Sequence, residues 1–411
     1  MRSIITFLLI FYFVNSEFTP IDQSKEESIK NFISKNKKES LANQKFKKSD
    51  SPKVSVIISL YNAEKKILPA IRSVQNQNLQ EIEIVCVDDR SNDTTLSILK
   101  ELKSKDPRIN IVINKYNRGN LYNKIYGALE SKGEYIAFVD VEEGFANPDI
   151  LKIAYETATK KFNEKIEVVS YQTCVSKTED LENLQLNSML NSNDFNKVLK
   201  QPEIIDNYYK EKKNFDFSDF IYDKIYTKQL IKRISNFIGP NIWNQNIASF
   251  GDILINYATM KSAKSLVNIQ DIGYWHLLDG LNNIANKEWK IIDDRLKYPE
   301  KTNKIIDNFI IVTEKLFELT EKEPNSVEFR EYHLKKLGDE KYMRAIARSI
   351  HYDKYLRLCE KFIEWNFVGK EEKRRVRKFA KNLLSFEVGS NKIFGYILDD
   401  DDDEDDEYYD L

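Results

Sequence analysis

Val54, Val56, Ile57 and Ile58 form a short apolar run closed by Leu60-Tyr61-Asn62, the pattern of a strand buried on both faces. Ile67, Leu68, Ile71 and Val74 follow as a helical stripe, with Pro69 near the start, where a missing N–H does little harm. A second strand is predicted from Ile82, Ile84, Val85 and Val87, and a second helix from Leu96, Leu99 and Leu102, with Asp93 placed to cap it. Ile109 to Ile113 reads as a third strand. Asn117-Arg118-Gly119 leads into a helix reaching about Ser131, and the turn Lys132-Gly133 precedes a strand at Tyr135 to Val139. Asp149 to Lys160 reads as a helix and Glu167 to Tyr171 as a strand. This alternation predicts an α/β fold, a Rossmann-type, mostly parallel sheet flanked by helices.

The rhythm breaks outside that stretch. Glu17 to Pro52 is polar, suiting a flexible stalk or a weak helix. Lys177 to Phe217 is Asn-rich and reads as an insertion or mobile loop, before structure resumes at Ile221 to Tyr226. Beyond Gly280, Ile305, Phe309, Val312, Leu316 and Leu319 mark a C-terminal helical appendage. The expected organisation is 1–16 targeting segment, 17–52 polar linker or stalk, 53–280 principal domain, 281–397 helical region and 398–411 acidic tail.

Arg2, the apolar stretch Ile4 to Val14 and the small residues after it have the form of a cleaved secretory signal. An apolar stretch of eleven residues is short for a span, which needs about 20, so a type II anchor is the less favoured alternative. Either way a lumenal body is expected, in the endoplasmic reticulum or Golgi or secreted, touching membrane only through this segment. A net charge of -2 hides an asymmetry: the tail holds ten acidic residues, leaving 55 acidic against 63 basic elsewhere, a net of +8. Such a tail solvates, or captures Ca²⁺ or Mn²⁺ weakly, or docks on the basic run Lys373 to Lys378. Dispersed lysines and a secretory signal argue against nucleic acid as a partner. Cys86, Cys174 and Cys359 are odd in number and lack CxxC spacing, which points to packing rather than zinc or disulfides.

Two strand ends are acidic, Asp88-Asp89 with the loop to Thr94, and Asp140-Val141-Glu142-Glu143. In open parallel sheets the carboxyl ends of strands face a crevice where ligands bind. No Gly-rich phosphate loop is present, so a nucleotide here must be held otherwise, by carboxylates that bind a divalent cation against its diphosphate.

Val54 to Asn62, Val87 to Thr94 and Gly133 to Asp140 resemble, in order and spacing, the family 2 glycosyltransferases of GT-A fold, over roughly residues 54–280. The resemblance implies donor-binding roles for Ser59, Tyr61, Asp88, Asp89, Asn117, Gly119, Lys124 and Asp140, with Ser59 beside the base or ribose and Asp89 accepting the uracil imide N–H. Lys124-Ile125 stands where the family usually has Arg-Asn, so Lys124 meets phosphate as a point charge without Arg's bidentate geometry. Asp140, Glu142 and Glu143 replace an Asp-x-Asp-Asp cluster as ligands for Mn²⁺ or Mg²⁺, with His276 a further candidate. Phe250-Gly251-Asp252 resembles the family's Glu-Asp motif with Gly251 in place of Glu, which makes Asp252 the catalytic base.

Structural alternatives stand beside these roles: a turn residue for Asp89, a helix cap for Asp252, an acidic loop for Asp140 to Glu143, core packing for His276 and Trp243. The sequon Asn92-Asp93-Thr94 lies in the nucleotide loop, where a glycan would obstruct the site. The expected function is an inverting, metal-dependent transfer of sugar from a nucleotide-sugar donor, UDP-linked, to a saccharide or protein acceptor in the secretory lumen. The alternatives are a catalytically inactive lumenal binding or scaffolding relative, and a calcium-buffering protein led by its tail.

Overall fold

The computed structural model describes residues 19–38, 45–176, 187–189, 195–213, 220–277 and 299–320. Contacts divide the chain into residues 1–290 and 291–411. In the first unit the order is β1 Thr19–Pro20, α1 Gln23–Lys38, β2 Val54–Leu60, α2 Ile67–Gln75, β3 Ile82–Asp88, α3 Thr95–Lys105, β4 Ile109–Ile113, α4 Asn120–Glu130 and β5 Tyr135–Val139. There follow β6 Gly144–Phe145, α5 Ile150–Lys160, β7 Val168–Ser176, β8 Asn187–Met189, β9 Val198–Lys200, α6 Glu203–Lys213, β10 Lys224–Thr227, α7 Lys228–Ile238, α8 Pro240–Trp243, α9 Gly251–Ser262 and β11 Ser265–Leu277. In the second unit, the described part is one helix, α10 Pro299–Thr320. The signal segment and the acidic tail lie outside the described residues, as does Cys359.

Among the described residues, β4, β3, β2 and β5 run parallel side by side. β10 then enters antiparallel between β5 and β7, and β11 continues parallel to β7. The sheet is therefore parallel where the nucleotide-type motifs lie and mixed beyond β10. Val54, Val56, Ile57, Ile58 and Leu60 are all buried, which is why β2 reads as a mostly apolar run, interrupted only by Ser55 and Ser59, rather than a strictly alternating one. Ile67, Ala70, Ile71 and Val74 bury one face of α2, while Leu121, Ile125 and Ala128 bury the face of α4 that packs on β2 and β3. Cys86 and Cys174 are free, buried thiols whose ionisation burial opposes, the former pushed up to about 12.

Of two weakly patterned segments, 17–52 takes the helical one of its two expected alternatives and 177–217 differs from expectation. The polar stretch 17–52 holds helix α1, whose Ile29 and Ile33 join Ile21, Ala146, Cys174, Trp275 and Leu277 in one apolar cluster. Asp22 Oδ1 accepts the Ser24 amide at its start, and the Lys37 ammonium lies 4.9 Å from the Trp275 ring centre. Ile29, Phe32 and Ile33, buried at helical spacing, are enough to dock an otherwise polar helix when a partner surface exists. The stretch expected as a loop, 177–217, holds β8, β9 and α6 among its described residues, and β8 pairs with β1.

Candidate functional site

At the end of β3, Asp89 organises the first acidic loop. It is buried, its Oδ1 accepts the Arg118 amide at 2.7 Å and Asn114 Nδ2 at 2.8 Å, and its Oδ2 accepts the Gly119 amide at 2.9 Å. Three N–H donors converge on it, so the carboxylate expected to read a base also ties the 114–119 loop to the strand end. Gly119 makes that turn with φ of 82°, and a Cβ there would come within 2.6 Å of the Ile247 backbone, so only glycine fits. Asn114 passes the network to Asn123 Oδ1 at 2.6 Å, and Asn123 Nδ2 donates to Ser59 Oγ at 3.1 Å. Neighbouring Asp88 is also buried, with Oδ2 accepting the Ser91 amide at 3.4 Å and Oδ1 unpartnered among the described residues. Tyr61, by contrast, is 53% exposed beside this loop, and Asn117 accepts Asn246 Nδ2 through its carbonyl at 3.0 Å.

The loops after β2 and β3 are stitched together. Asn62 N–H donates to Ser91 Oγ, Asn92 N–H donates to Asn62 Oδ1, both at 3.0 Å, and Thr94 Oγ1 donates to Glu64 Oε2 at 2.7 Å. Asn62, Arg90 and Phe250 all take positive φ, of 50°, 67° and 64°. Such backbone costs on the order of 1 kcal/mol or more at a non-glycine residue and clusters where surrounding structure enforces it for function.

Lys124 is the centre of the second arrangement. Its side chain is 1% exposed, and its Nζ lies 2.9 Å from Asp252 Oδ1, 3.1 Å from Asp252 Oδ2, 3.3 Å from Asp140 Oδ1 and 3.5 Å from Tyr222 Oη. Burial alone would pull its pKa down, yet Asp140 and Asp252 more than offset this and hold the ammonium above the usual lysine value. The Tyr222 hydroxyl donates to Asp252 Oδ2 at 2.6 Å, and burial first, then Asp140 and Asp252, keep that phenol protonated well above its usual range. Tyr222 stacks on Tyr274 at 5.4 Å, and the Tyr274 hydroxyl accepts the Asp140 amide at 3.2 Å. Asp140 and Asp252 remain 32% and 24% exposed, so a cationic, protein-held group stands behind two carboxylates that face outward. Gly251 sits where a Cβ would approach Leu121 Cβ to 2.8 Å, so its missing side chain brings the start of α9, and Asp252 with it, against α4.

A family model, Glycosyl transferase family 2, matches residues 55–214. The GalNAc(5)-diNAcBac-PP-undecaprenol beta-1,3-glucosyltransferase of Campylobacter jejuni is 35% identical over 114 residues, 28% of this chain and 35% of its own length. The UDP-Glc:alpha-D-GlcNAc-diphosphoundecaprenol beta-1,3-glucosyltransferase of Escherichia coli is 32% identical over 108 residues, 26% of this chain and 42% of its own. Among solved structures, that of S. aureus TarS superposes with a TM-score of 0.52 at 16% identity, over 80% of this chain and 54% of that one, which shows a shared fold. The chain carries a family 2 glycosyltransferase domain of the GT-A fold.

Within that domain the expected metal ligands do not meet. Asp140 pairs with Lys124, Glu142 with Lys66, and Glu143 Oε1 with His276 Nδ1. Each carboxylate has its own cationic or imidazole partner, and among the described residues no group of three or more His, Cys, Asp or Glu side chains is placed to hold a metal ion. The ligand set expected for Mn²⁺ or Mg²⁺ therefore does not fit this arrangement, because donors to one ion must converge on one point. Lys124, expected on a donor phosphate, is likewise turned inward. Of the site residues, the structure groups Lys124, Asp140 and Asp252 together, and Ser59, Asp89 and Gly119 in the neighbouring network. Tyr222 carried a sequence signal only as part of the segment Ile221 to Tyr226, which resembles the family's acceptor-side segment before the catalytic residue; sequence reasoning missed Asn114, Asn123 and Lys66, of which Asn123 lies beside Lys124 on a helix that enters the strand-end crevice.

Proposed function

We propose that the chain is an inverting glycosyltransferase taking its sugar from a UDP-linked donor. The observation that carries this reading is Asp252, a partly exposed carboxylate held at the first turn of α9 beside Asp140 of the β5 strand end, the latter within the family 2 match over residues 55–214. In the transfer, the acceptor oxygen bonds to the anomeric carbon as the carbon–phosphate oxygen bond breaks, the nucleoside diphosphate leaves with the electron pair, and Asp252 takes the acceptor's proton. The donor's base and ribose occupy the crevice beside Ser59 and exposed Tyr61, framed by the loop that Asp89 braces. A UDP-linked donor is supported by the Escherichia coli relative, whose name gives UDP-Glc. The apolar N-terminal stretch supports work in the secretory lumen, on a saccharide or protein acceptor.

A positioned general base contributes about 10²- to 10⁴-fold. Asp252→Asn is expected to lower turnover of UDP-sugar by that order while UDP binding persists; unchanged turnover removes Asp252 from the role. One observation favours a second reading, a binding protein without turnover: both Asp252 oxygens already accept bonds from Lys124 or Tyr222. Calorimetry showing UDP bound tightly, with no sugar released or transferred by the same preparation, selects that reading.

A further inference from the structure

Lys124 has three N–H donors, and the structure gives it three acceptors: the Asp252 carboxylate at 2.9 Å, Asp140 Oδ1 at 3.3 Å and Tyr222 Oη at 3.5 Å. With its side chain 1% exposed, no donor is left for a phosphate oxygen and no face is open to one. We propose that Lys124 is a positioning residue for the base: it fixes Asp252 at a set distance from donor-side Asp140, with Tyr222 as its partner, and does not ligate the donor. The inference rests on the functional reading above, in which Asp252 is the base.

The geometry gives this role a physical basis. Asp140 and Asp252 bond the same ammonium, so without it two carboxylates a few ångströms apart repel and turn toward solvent. Lys124 reaches across from α4, and Tyr222 closes the triangle by donating to Asp252 Oδ2 at 2.6 Å. Asp252 Oδ1 keeps a lone pair for the acceptor hydroxyl, since it accepts only from Lys124 among the described residues. Tyr222 in turn stacks on Tyr274, whose hydroxyl bonds the Asp140 amide, so the same aromatic pair steadies both carboxylates.

The test is a cycle in the full chain with UDP-glucose turnover and direct UDP and uridine binding. Lys124→Met is expected to lower kcat by about 10²-fold, within the range of a displaced general base, with UDP and uridine affinities within about threefold of wild type. Placed in an Asp252→Asn background, Lys124→Met is expected to lower the residual rate no further, because a residue acting through Asp252 has nothing left to act on. Lys124→Arg, keeping the charge, is expected to recover part of the loss, and Tyr222→Phe to lower kcat by about tenfold, consistent with one lost hydrogen bond. A phosphate contact predicts the opposite split: UDP weakened at least tenfold with uridine unaffected, which overturns the proposal. Equal losses for Lys124→Met in both backgrounds also overturn it, leaving a structural role. If Lys124→Met fails to fold, the Tyr222→Phe arm carries the test, and additivity with Asp252→Asn overturns it. Wild-type chain that binds neither UDP nor uridine overturns the functional reading itself, a result none of the variant arms produces.

Discussion

A carboxylate at a strand end can meet a ligand and can hold the loop around it, and Asp89 holds the loop. Three N–H donors, at 2.7, 2.8 and 2.9 Å, make it an acceptor for its own protein. Asp89→Asn presents an amide N–H to at least one of those donors, and is expected to destabilise the fold by about 1–3 kcal/mol; denaturant unfolding with a change under ~0.5 kcal/mol contradicts that. Glu142 pairs with Lys66 rather than a metal, so Glu142→Gln is expected to change UDP affinity less than about threefold, with or without Mn²⁺. A tenfold loss confined to the Mn²⁺ arm contradicts the reading of this pair. The residue types were legible from sequence, for Asp89, Asp140 and Asp252 stand where motif order places them. Their partners were not: Lys124 meets Tyr222 and Asp252 across 98 and 128 positions of chain.

At the level of elements, strands β2, β3 and β5 could be read from apolar runs because both faces are buried, and β4 from its isoleucines although only Ile109 of it is buried. The N-terminal helix α1 was legible only as an alternative to a flexible stalk, since its composition is that of a solvated segment and its contacts with β11 and with Arg72 and Asn76 at the end of α2 hold it. Ile33→Ala is expected to cost about 2–4 kcal/mol, the range for emptying a buried aliphatic site; a melting temperature equal to wild type means α1 does not dock. The start of α9 depends on Gly251, whose Cβ would press on Leu121 at 2.8 Å. Gly251→Glu, which restores the residue the family resemblance leads one to expect, is therefore expected to destabilise by about 1–3 kcal/mol and to lower turnover rather than raise it. Read as a motif, the glycine was a departure; read as packing, it is what lets two helices approach with Asp252 between them.

Across the whole molecule, the loop 91–94 bears the one sequon that lies in the proposed donor crevice, and the backbone N–H of its Asn92 donates to Asn62 Oδ1. A donor site there requires Asn92 unmodified, and glycopeptide mass spectrometry of secreted chain showing high occupancy contradicts it. The motif order identified the GT-A sheet, while the mixed pairing of β10, β7 and β11 was set by long-range register that no single segment encodes. The central claim joins these scales: a braced crevice binds the nucleotide and Asp252, held by Lys124 and Tyr222, takes the proton. The most direct test measures UDP release from UDP-glucose, UDP-galactose and UDP-GlcNAc alongside UDP affinity, for wild type and Asp252→Asn. The account predicts turnover of at least one donor by wild type, a loss of about 10²-fold or more in the variant, and UDP affinity within about threefold in both. Equal turnover in the two, or UDP binding lost with the single amide substitution, contradicts it.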